Sequence, residues 1–466
     1  MTGPFASLTF TEQQIVGLTK HLFSGDGKES VALVLCGHAT RGDRTRLLAR
    51  EVHPIPNELC SVRTNTQLMW PSELLVPHLE RARGKQLSVV KIHSHPNGFP
   101  VFSAADDASD ADLFPSIHGW VDHKIPHASV VSLPNGKMFG RIVQYDGSFS
   151  ALSRIAVIGN DIRCYSGPTD ARLTGDAILH TTRKGAALFG AEMTGDLGRY
   201  SVAVVGCSGL GSLVIELLAR HGIGRIILID PDRVEAKNLG RILNAFPADI
   251  GELKVDVAAR AIRKLGFGIV VETCAADLAT PEAVRLVSSC DFVFGCMDSL
   301  AGRALLNRLA TFYVMPYIDL GVRIDADPTG FVEQVCGAVR YLRPGGSSLT
   351  SRGMFSYEDA QADAVKRTDR ERYEQLRKER YIRGINEEQP AVMALNMAIA
   401  PLGVMELFAR MYRFRDDPNS RYATATLSLT QMGLYADAES APCKVLQGFV
   451  GRGDMAPLLD LPELSE

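Results

Sequence analysis

The stretch SVAVVGCSGLGSLVIELLARHGIGRIILID, residues 201–230, decides the fold class of this chain of 466 residues. It begins with a short apolar run, passes through a glycine-rich turn into the helical pattern LVIELLARHG, and ends in a second apolar run, RIILID. A strand, a helix and a strand at this length form a βαβ unit, in which the two strands are parallel. The later runs VVETCAADL, DFVFGCMD and PYIDLGVRI continue the sheet, with helices predicted around 254–265 and 301–310. The sequence therefore predicts an α/β domain with a mainly parallel sheet.

The first third of the chain has a different pattern, in which short β-branched runs are mixed with one or two helical stretches. The predicted strands are VALVLCG at 31–37, LSVVKI at 87–92 and ASVVSL at 128–133. The last of them is followed by Pro134-Asn135-Gly136 and KMFGRIV, which predicts a hairpin. The periodicity weakens over 148–197, where we predict a linker. We therefore expect an α+β domain over 1–165 and an α/β domain over 166–466.

Composition and charge exclude several classes of protein. Apolar residues make up 46% and charged residues 22%, which is typical of a globular chain and not of a disordered or fibrous one. With 50 Lys plus Arg against 53 Asp plus Glu, the net charge of -3 attracts neither nucleic acid nor an acidic membrane. The nine cysteines are odd in number and scattered, which favours a reducing cytoplasm. The apolar stretch 389–405 contains Asn396 and Pro401 and predicts a buried helix instead of a membrane span.

Two histidines end the strand LSVVKI. Alternate residues of a strand project to one face, so the imidazoles of His93 and His95 can converge on one ion. Ser103 and Asp106 follow, and a carboxylate one turn inside a helix can supply a third ligand and leave the fourth position to water. Taken alone, Ser103 and Asp106 form a helix capping box, and a single His-x-His is more often incidental than metal-binding. The joint pattern H-x-H-x7-S-x2-D predicts a zinc site with His93, His95 and Asp106 as ligands.

This pattern resembles the signature of the JAMM, or MPN-type, zinc isopeptidases. That family places a glutamate just before its first core strand, where this chain has Glu29. The resemblance implies that zinc lowers the pKa of bound water toward ~7, that Glu29 accepts its proton, and that Ser103 donates to the oxyanion of the attacked amide. Glu51 is the alternative base and Asp107 the alternative ligand, although a helical offset of ~100° turns Asp107 away from Asp106. A solvated acid at the strand edge is the other interpretation of Glu29.

The glycine turn after SVAVV is a candidate nucleotide site. Gly206, Gly209 and Gly211 lie between a strand and a helix, where backbone amides and the helix N-terminus attract phosphate. A dinucleotide fingerprint would need glycine in place of Ser208, which counts against a nicotinamide or flavin cofactor. Asp230 ends the next strand and is well placed to bind a ribose hydroxyl. Helix packing alone is the structural alternative for these glycines.

The continuation DPDRVEAKNLGR, DIGELK and CMDS resembles the ThiF-type adenylating enzymes, which have a Rossmann-like fold and are related to ubiquitin activation. In that family the glycine loop and the aspartate hold ATP, and an Asn, an Arg and a Lys contact its phosphates. The matching positions are Asn238, Arg241 and Lys254, and Asp298 matches the magnesium-linked aspartate. The resemblance assigns Arg241 and Asp298 to catalysis, where positive charge and a divalent ion stabilise the leaving pyrophosphate. Further matches are Arg303 and Asn307, which continue the family's helix pattern, and Arg183, which matches an arginine contributed across a dimer.

Together the two resemblances imply a fusion of a JAMM-like zinc peptidase with a ThiF-like adenylating domain. Zinc, ATP and magnesium are the implied cofactors. The implied substrate is a ubiquitin-like or sulfur-carrier protein ending in glycine: one site cleaves after that glycine and the other adenylates the freed carboxylate. A ubiquitin-conjugating-like enzyme and a second copy of this chain are the further partners implied.

Three alternative functions stay open. The first is sulfur-carrier activation for biosynthesis without protein tagging, which is favoured because residues 344–390 contain no cysteine where many family members carry a thioester cysteine. The second is a JAMM-like half that only binds the carrier as a scaffold. The third is a dinucleotide oxidoreductase, which Ser208 disfavours. The charged segment 356–383 predicts a solvated helix or a mobile crossing segment, with a specific basic binding site as the alternative.

Overall fold

The structure is a computed structural model, and it describes residues 5–122, 125–168, 170, 197–327, 331–378 and 392–465. The chain divides into two compact units. The first is Met1–Ala171 with Phe312–Val314 and Phe449–Met455. The second is Arg172–Thr311 with Met315–Gly448 and Ala456–Glu466. The domain boundary near residue 165 stays a prediction.

The first unit contains a sheet of nine strands with helices on both faces. Its elements are β1 (Phe5–Thr11), α1 (Glu12–Leu22), β2 (Val31–Arg41), β3 (Arg44–Pro54), β4 (Val62–Arg63), β5 (Leu68–Met69), α2 (Val76–Lys85), β6 (Ser88–Ser94), α3 (Ala104–Val121), β7 (His127–Ser132), β8 (Met138–Val143), β9 (Phe149–Ala151), β10 (Arg154–Ile158) and β11 (Ile162–Ser166). The strand order is β11-β10-β1-β3-β2-β6-β7-β8-β9, and β4 pairs with β5 in a separate hairpin. The strands predicted from the sequence at β2, β6 and β7 are confirmed, as is the β7–β8 hairpin.

Two apolar cores lie on the two faces of this sheet. On one face, Leu18 and Leu22 of α1 pack with Phe10 and other buried residues of the strands. On the other, Leu79 of α2 and Phe114 of α3 pack with buried strand residues of the opposite side. The alternation of side chains along each strand separates these two sets. The site residues at the end of β6 are therefore held by a sheet that is covered on both faces.

The linker predicted over 148–197 is wrong for the part that forms β9, β10 and β11. All five residues of β10 are buried, and β10 pairs in parallel with β1 at the start of the chain. The run RIAVI is short, and its partner strand is more than a hundred residues away, so local periodicity gave no signal for it. The remainder of the predicted linker, 171–196, lies outside the described residues.

The second unit contains an eight-stranded sheet. Its elements are β12 (Ser201–Val205), α4 (Gly209–Arg220), β13 (Arg225–Ile229), α5 (Lys254–Leu265), β14 (Val270–Cys274), α6 (Pro281–Ser288), β15 (Phe292–Gly295), α7 (Leu300–Phe312), β16 (Tyr317–Ala326), β17 (Val332–Leu342), α8 (Tyr357–Thr368), α9 (Arg370–Lys378), α10 (Met393–Tyr412), β18 (Thr424–Ser428) and β19 (Gly433–Asp437). The order is β14-β13-β12-β15-β16-β17-β18-β19. The first five strands are parallel and the last three are added antiparallel, so the predicted α/β fold with a mainly parallel sheet is confirmed.

The long apolar helix α10 packs against α4, β16 and β17. Among the described helices it is the one that is long and apolar enough to cross a membrane, and 61% of its most apolar window is buried in the chain. A Cβ atom at Gly337 of β17 would lie 2.3 Å from the side chain of Ile399, so the helix approaches the sheet closely. It has the environment of a core helix. The charged segment that follows β17 forms α8 and α9 as far as Lys378.

A buried cluster of charges joins the first-unit sheet to α3. The carboxylate of Asp110 is fully buried, accepts hydrogen bonds from Nε and Nη2 of Arg141 at 3.0 and 2.6 Å, and pairs with Lys91. Arg141 and Lys91 are themselves 7% and 4% exposed. Removing the shared anion would leave the buried Lys91 without its counter-ion and Arg141 with Asp107 as its remaining acidic partner.

We predict that Asp110→Asn lowers the free energy of unfolding by about 3 kcal/mol, because breaking a buried ion pair leaves uncompensated charge. Lys85→Ala is the matched control: its ammonium lies 3.8 Å from Glu51 at an exposed position, and its loss should change stability by less than about 0.5 kcal/mol. Chemical denaturation of the full chain measures both values. Equal effects of the two substitutions would contradict a stabilising role for the buried anion.

Candidate functional sites

The histidine pair and Asp106 meet at the end of β6. His93 lies in β6, His95 follows the strand, and Asp106 is in the first turn of α3. Nε2 of His93 lies 3.1 Å from Nε2 of His95 and 2.9 Å from Oδ1 of Asp106, and Nε2 of His95 lies 3.3 Å from Oδ2 of Asp106. These are the donor atoms predicted from the sequence as a ligand set.

The three donor groups fit a zinc ion. Zinc bonds of ~2.0–2.1 Å in a tetrahedron place neighbouring ligand atoms about 3.3 Å apart, which is close to the separations observed between His93, His95 and Asp106. Two imidazoles and one carboxylate also form a donor set of catalytic zinc sites, in which the fourth position stays open. Within the described residues this is the one group of three or more such side chains that could hold a metal ion.

Hydrogen bonds fix the orientation of two of these ligands. Nδ1 of His95 lies 2.9 Å from the carbonyl oxygen of Phe99, so this ring presents Nε2 to the site. Asp106 accepts from the backbone N–H and the hydroxyl of Ser103, each at 2.7 Å, and the Ser103 hydroxyl accepts from the backbone N–H of Asp106. The capping box and the ligand set are therefore both present, and Asp106 belongs to both. The contact to Phe99 was not foreseen, since a backbone carbonyl has no signature in the sequence.

The charges in this site favour a neutral His93 imidazole beside an ionised Asp106, whereas burial lowers the pKa of His95 but its bonds with Asp106 and Phe99 outweigh burial and raise it. Burial lowers the pKa of the His93 imidazole, although its hydrogen bond with Asp106 acts in the opposite direction. For Asp106, burial raises the pKa, but the bonds from His93 and His95 outweigh it and hold this carboxyl well below its usual range. A neutral ring and a carboxylate are the forms that bind a metal ion.

Glu29 lies beside the ligand set, just before β2. Val31 of β2 pairs with His93 of β6, which brings the start of β2 to the end of β6. Glu29 is 6% exposed, and within the described part of the chain no group hydrogen-bonds its carboxylate. Burial, together with the nearby Asp106 carboxylate, raises the pKa of Glu29 to about 7 against the opposing effects of His95 and Lys91. A solvated acid at the strand edge does not describe this residue.

The two alternative residues take other roles. Glu51, on the neighbouring strand β3, forms an ion pair with Arg81, and its carboxylate lies 3.4 Å from Nε2 of His53. Asp107 forms an ion pair with Arg141 and is 54% exposed in its side chain. The geometry therefore brings Glu29 and Asp106 to the candidate metal site, with Glu51 and Asp107 committed to other partners.

The glycine turn between β12 and α4 is tightly packed. Gly206 has φ +94°, and a Cβ atom there would lie 2.8 Å from the carbonyl oxygen of Cys296. A Cβ atom at Gly211 would lie 1.7 Å from the carbonyl oxygen of Gly206. The first turn of α4 has no side-chain cap, because the Ser208 hydroxyl makes no capping bond. Its N–H groups are therefore open for an anion.

Asp230 lies beside this turn at the carboxyl end of β13. Its two oxygens accept from the backbone N–H groups of Cys207 and Asp232, at 2.7 and 2.9 Å. Burial raises its pKa, against the opposing effects of Lys254 and these backbone bonds. Lys254 is 6% exposed, and its ammonium lies 2.7 Å from Asp232. Asn238 is also buried, and its Oδ1 accepts from the backbone N–H of Glu235 at 3.0 Å.

Arg241 and Asp298 each have a polar group that makes no hydrogen bond with the described residues. Asp298 is exposed at the end of β15, and none of the described side chains hydrogen-bonds its carboxylate. Nε of Arg241 is closed to solvent and has no partner among the described residues. Arg303, by contrast, has its Nε 3.0 Å from the buried carboxylate of Asp319, and Asn307 accepts from the backbone N–H of Leu349 at 3.0 Å. Arg183 lies outside the described residues.

Asn396, which the sequence pattern predicts only as part of a buried helix, also contacts the glycine turn. Asn396 of α10 lies so close to Gly209 that a Cβ atom at that glycine would be 2.4 Å from Nδ2 of the amide. The two residues are far apart in sequence, and the contact depends on how α10 packs on α4. No local pattern could have revealed it.

Comparison with known proteins gives matches over both parts of the chain. Residues 181–433 match the model of the ThiF family, and residues 12–137 match the model of prokaryotic homologs of the JAB domain. Ubiquitin-like modifier-activating enzyme 5 of Drosophila mojavensis is 29% identical over 157 residues, which cover 31% of this chain and 37% of that protein. Adenylyltransferase and sulfurtransferase MOCS3 of Sus scrofa is 36% identical over 152 residues, which cover 32% and 33%. The chain thus spans about a third of the length of the curated relatives it matches.

Among solved structures, E. coli MccB with ATP is similar at 18% identity and a TM-score of 0.44, over 59% of this chain and 75% of that one. E. coli tRNA N6-threonylcarbamoyladenosine dehydratase, TcdA, is 31% identical with a TM-score of 0.31, over 33% of this chain and 66% of that one.

We predict that Glu29→Gln stabilises the chelator-treated protein at pH 8. A carboxyl whose pKa is raised from 4.5 to about 7 on folding opposes folding once it ionises, so the variant gains stability as pH rises from 4.5 through 7 and gains none below 4.5. We expect the free energy of unfolding to rise by about 1–2 kcal/mol at pH 8. This is less than the energy that corresponds to the full pKa difference, because solvent screens part of the interaction. Thermal denaturation from pH 4 to pH 8 measures it.

Glu51→Gln is the matched control for this prediction. The pKa of Glu51 is lowered, because its bonds to Arg81 outweigh the effect of burial, which raises it. Its replacement should therefore decrease stability at pH 8. The same sign for both variants would show that the environment of Glu29 has been misassigned.

Proposed function

Because this chain belongs to the ThiF family and carries a JAB-type domain before the ThiF region, we propose that it is a bifunctional enzyme acting on a carrier protein that ends in glycine. The predicted fusion of these two domain types is confirmed by the two family matches. In the proposed reaction sequence, the JAB-type site hydrolyses the peptide bond after the carrier's glycine. The ThiF-type site then adenylates the carboxylate that this cleavage frees. The client would be a ubiquitin-like or sulfur-carrier protein.

One observation carries the adenylation half of the proposal. The uncapped N-terminus of α4, the glycine turn and the exposed Asp298 lie at the carboxyl ends of neighbouring parallel strands, β12 and β15. Ligands of open parallel sheets bind at this end, and phosphate binds helix N-termini. ATP fits these residues, because Gly206 and Gly211 have no side chains that would obstruct the turn and the first turn of α4 offers uncapped backbone amides. Asp230 would bind the ribose of the nucleotide.

In the proposed adenylation, an oxygen of the carrier carboxylate attacks the α-phosphorus of ATP. A new P–O bond forms, the bond from the α-phosphorus to the bridging oxygen breaks, and pyrophosphate leaves with the electron pair. Arg241 and Lys254 would hold the negative charge of the phosphates, and Asn238 would contact them through its amide. Asp298 would hold a magnesium ion that neutralises the leaving pyrophosphate.

In the proposed hydrolysis, His93, His95 and Asp106 would hold the zinc ion, which supplies Lewis acidity and lowers the pKa of water. Glu29 acts as the general base: with a pKa near 7 it is ionised in a large fraction of molecules at neutral pH and can accept a proton there. The hydroxyl of Ser103 donates to Asp106 in the structure and would donate to the developing oxyanion instead when substrate is bound.

Two features bear on the fate of the adenylated carrier. Residues 344–390 contain no cysteine, which supports a second candidate function in which the activated carrier passes to sulfur transfer without a thioester on this chain. The relative MOCS3 is named as an adenylyltransferase and sulfurtransferase, which supports the same alternative. A ubiquitin-conjugating-like enzyme and a homodimer remain part of the proposal for protein tagging. Mass spectrometry of lysates for glycine-linked lysine adducts separates the two outcomes.

The proposed adenylation can be tested by pyrophosphate exchange. Purified full-length protein should catalyse carrier-dependent exchange between ATP and pyrophosphate, and Asp298→Ala should reduce the exchange rate by at least about 100-fold, since magnesium and its ligand stabilise the leaving group. Asp325→Ala is the control, because this acid lies on the same sheet but pairs with Arg323. Exchange that is insensitive to Asp298→Ala would contradict the assignment.

The second prediction concerns hydrolysis. His95→Ala should lose bound zinc, whereas Glu29→Gln should retain zinc and lose cleavage of a carrier fusion by at least about 100-fold, because it removes the general base. Elemental analysis and gel-based cleavage measure the two properties. If the wild-type protein binds zinc but neither it nor Glu29→Gln cleaves any fusion, this half binds the carrier as a scaffold only.

A further inference from the structure

Asn396 is a buried amide without a partner. It lies in the first turns of α10 and is 1% exposed, and within the described residues neither Oδ1 nor Nδ2 makes a hydrogen bond. A buried amide that has neither donor nor acceptor satisfied destabilises the folded protein. A leucine would fill the same space without this penalty. The position therefore holds a polar group that the ligand-free fold does not use.

The amide is aimed at the nucleotide turn. Its Nδ2 would be 2.4 Å from a Cβ atom at Gly209, the first residue of α4. The neighbouring Ser208 hydroxyl and Nε of Arg241 are also closed to solvent and unpartnered in the described chain. Three residues with an unsatisfied polar group thus lie at the start of α4: Ser208 precedes Gly209, and the Cβ position at Gly209 is 2.4 Å from Nδ2 of Asn396 and 3.8 Å from the carbonyl oxygen of Arg241. These groups indicate that a polar ligand binds at the start of α4 and supplies the missing hydrogen bonds.

The two atoms of the amide restrict the class of ligand. Oδ1 can only accept and Nδ2 can only donate, so a ligand that satisfies both must offer a donor and an acceptor together. A phosphate group offers acceptors only. A peptide group offers an N–H and a C=O side by side and can pair with both amide atoms.

Position favours the peptide group over the nucleoside. Asp230, the proposed ribose ligand, lies at the end of β13 and accepts from the N–H groups of Cys207 and Asp232. Asn396 contacts the turn two residues after Cys207, at Gly209. In the proposed reaction the carrier carboxylate must contact the α-phosphorus, so the peptide bond before its last glycine lies within one residue of the phosphate site.

Building on the proposed function, we propose that Asn396 binds the last peptide group of the carrier tail, with Nδ2 donating to its carbonyl and Oδ1 accepting from its N–H. Both atoms are closed to solvent in the structure, so the tail reaches them when the first turn of α10 moves away from Gly209. Val392 and Met397, at 50% and 47% exposed, lie on the outer side of this end of the helix, whereas Leu395 is 3% exposed, so the movement also shifts the packing of Leu395.

Asn396→Leu tests the proposal, because leucine has the same branched shape and no hydrogen-bonding atoms. In the full-length protein, the affinity for a short synthetic peptide ending in glycine, measured by calorimetry with ATP present, should fall roughly tenfold. Affinity for ATP should stay within about twofold of wild type. The melting temperature without ligand should stay equal or rise, since the variant removes two unsatisfied groups.

Asn419→Leu is the matched control for stability. Asn419 is also buried, but its Nδ2 donates to the carbonyl of Ala409 and its Oδ1 accepts from Arg415, each at 2.9 Å. This substitution should lower the melting temperature, because it removes satisfied bonds and leaves their partners unpaired. The two asparagines should therefore respond in opposite ways to the same change.

Three results would overturn the proposal: unchanged peptide affinity in Asn396→Leu, an equal loss of ATP affinity, or a fall in melting temperature like that of Asn419→Leu. An equal loss of ATP affinity would assign the amide to the nucleotide. The proposed function is judged separately, by pyrophosphate exchange in the wild-type protein. If the wild type and the variant catalyse pyrophosphate exchange equally, only the role of Asn396 is refuted. If the wild type catalyses no exchange, the proposed adenylation itself is refuted.

Discussion

Close backbone contact at the glycine turn is the constraint on which the second unit depends. The carbonyl oxygen of Gly206 occupies the space that a Cβ at Gly211 would take, and Gly206 itself adopts a positive φ against the backbone of Cys296. This contact joins β12, α4 and β15 at one point. Because of it, the end of α4 with uncapped amides faces the same sheet edge as Asp230 and Asp298. Side chains that are distant in sequence, and that we propose to bind ATP, are thereby brought to one edge of the sheet.

In the first unit the corresponding constraint is at Asp106, which belongs to the capping box of α3 and also contacts the imidazoles of His93 and His95. Its hydrogen bonds with Ser103 fix the first turn of α3, and that turn fixes the carboxylate relative to His93 and His95. The two units thus use the same physical device, a helix N-terminus brought to the end of a strand. The first turn of α4 has no side-chain cap, whereas the first turn of α3 is capped by the Ser103 hydroxyl and its Asp106 bonds back to the Ser103 N–H.

The sequence predicted what is local and repeated, and it missed what depends on distant pairing. The βαβ unit at 201–230 has its partners within thirty residues, and His93 and His95 lie two residues apart at the end of one strand, so their spacing predicts both features. The sequence predicts linker where β10 forms, because the partner strand of β10 is β1, at the other end of the unit. The Asn396 contact depends on helix packing, which spacing does not encode. Arg303 follows the family pattern, yet its ion pair with Asp319 could only be seen in the fold.

The double role of Asp106 affects how this domain would evolve. If an ancestor ceased to hydrolyse its client, selection for folding alone would still preserve Ser103 and Asp106, since α3 needs its cap. Glu29 has no such protection: its carboxylate is buried, its pKa is raised to about 7, and no described group bonds to it. Genetic drift would therefore replace Glu29 long before it replaced Asp106. Under the proposed hydrolysis, the glutamate and not the helix-capping aspartate is the marker that separates active descendants of this chain from inactive ones.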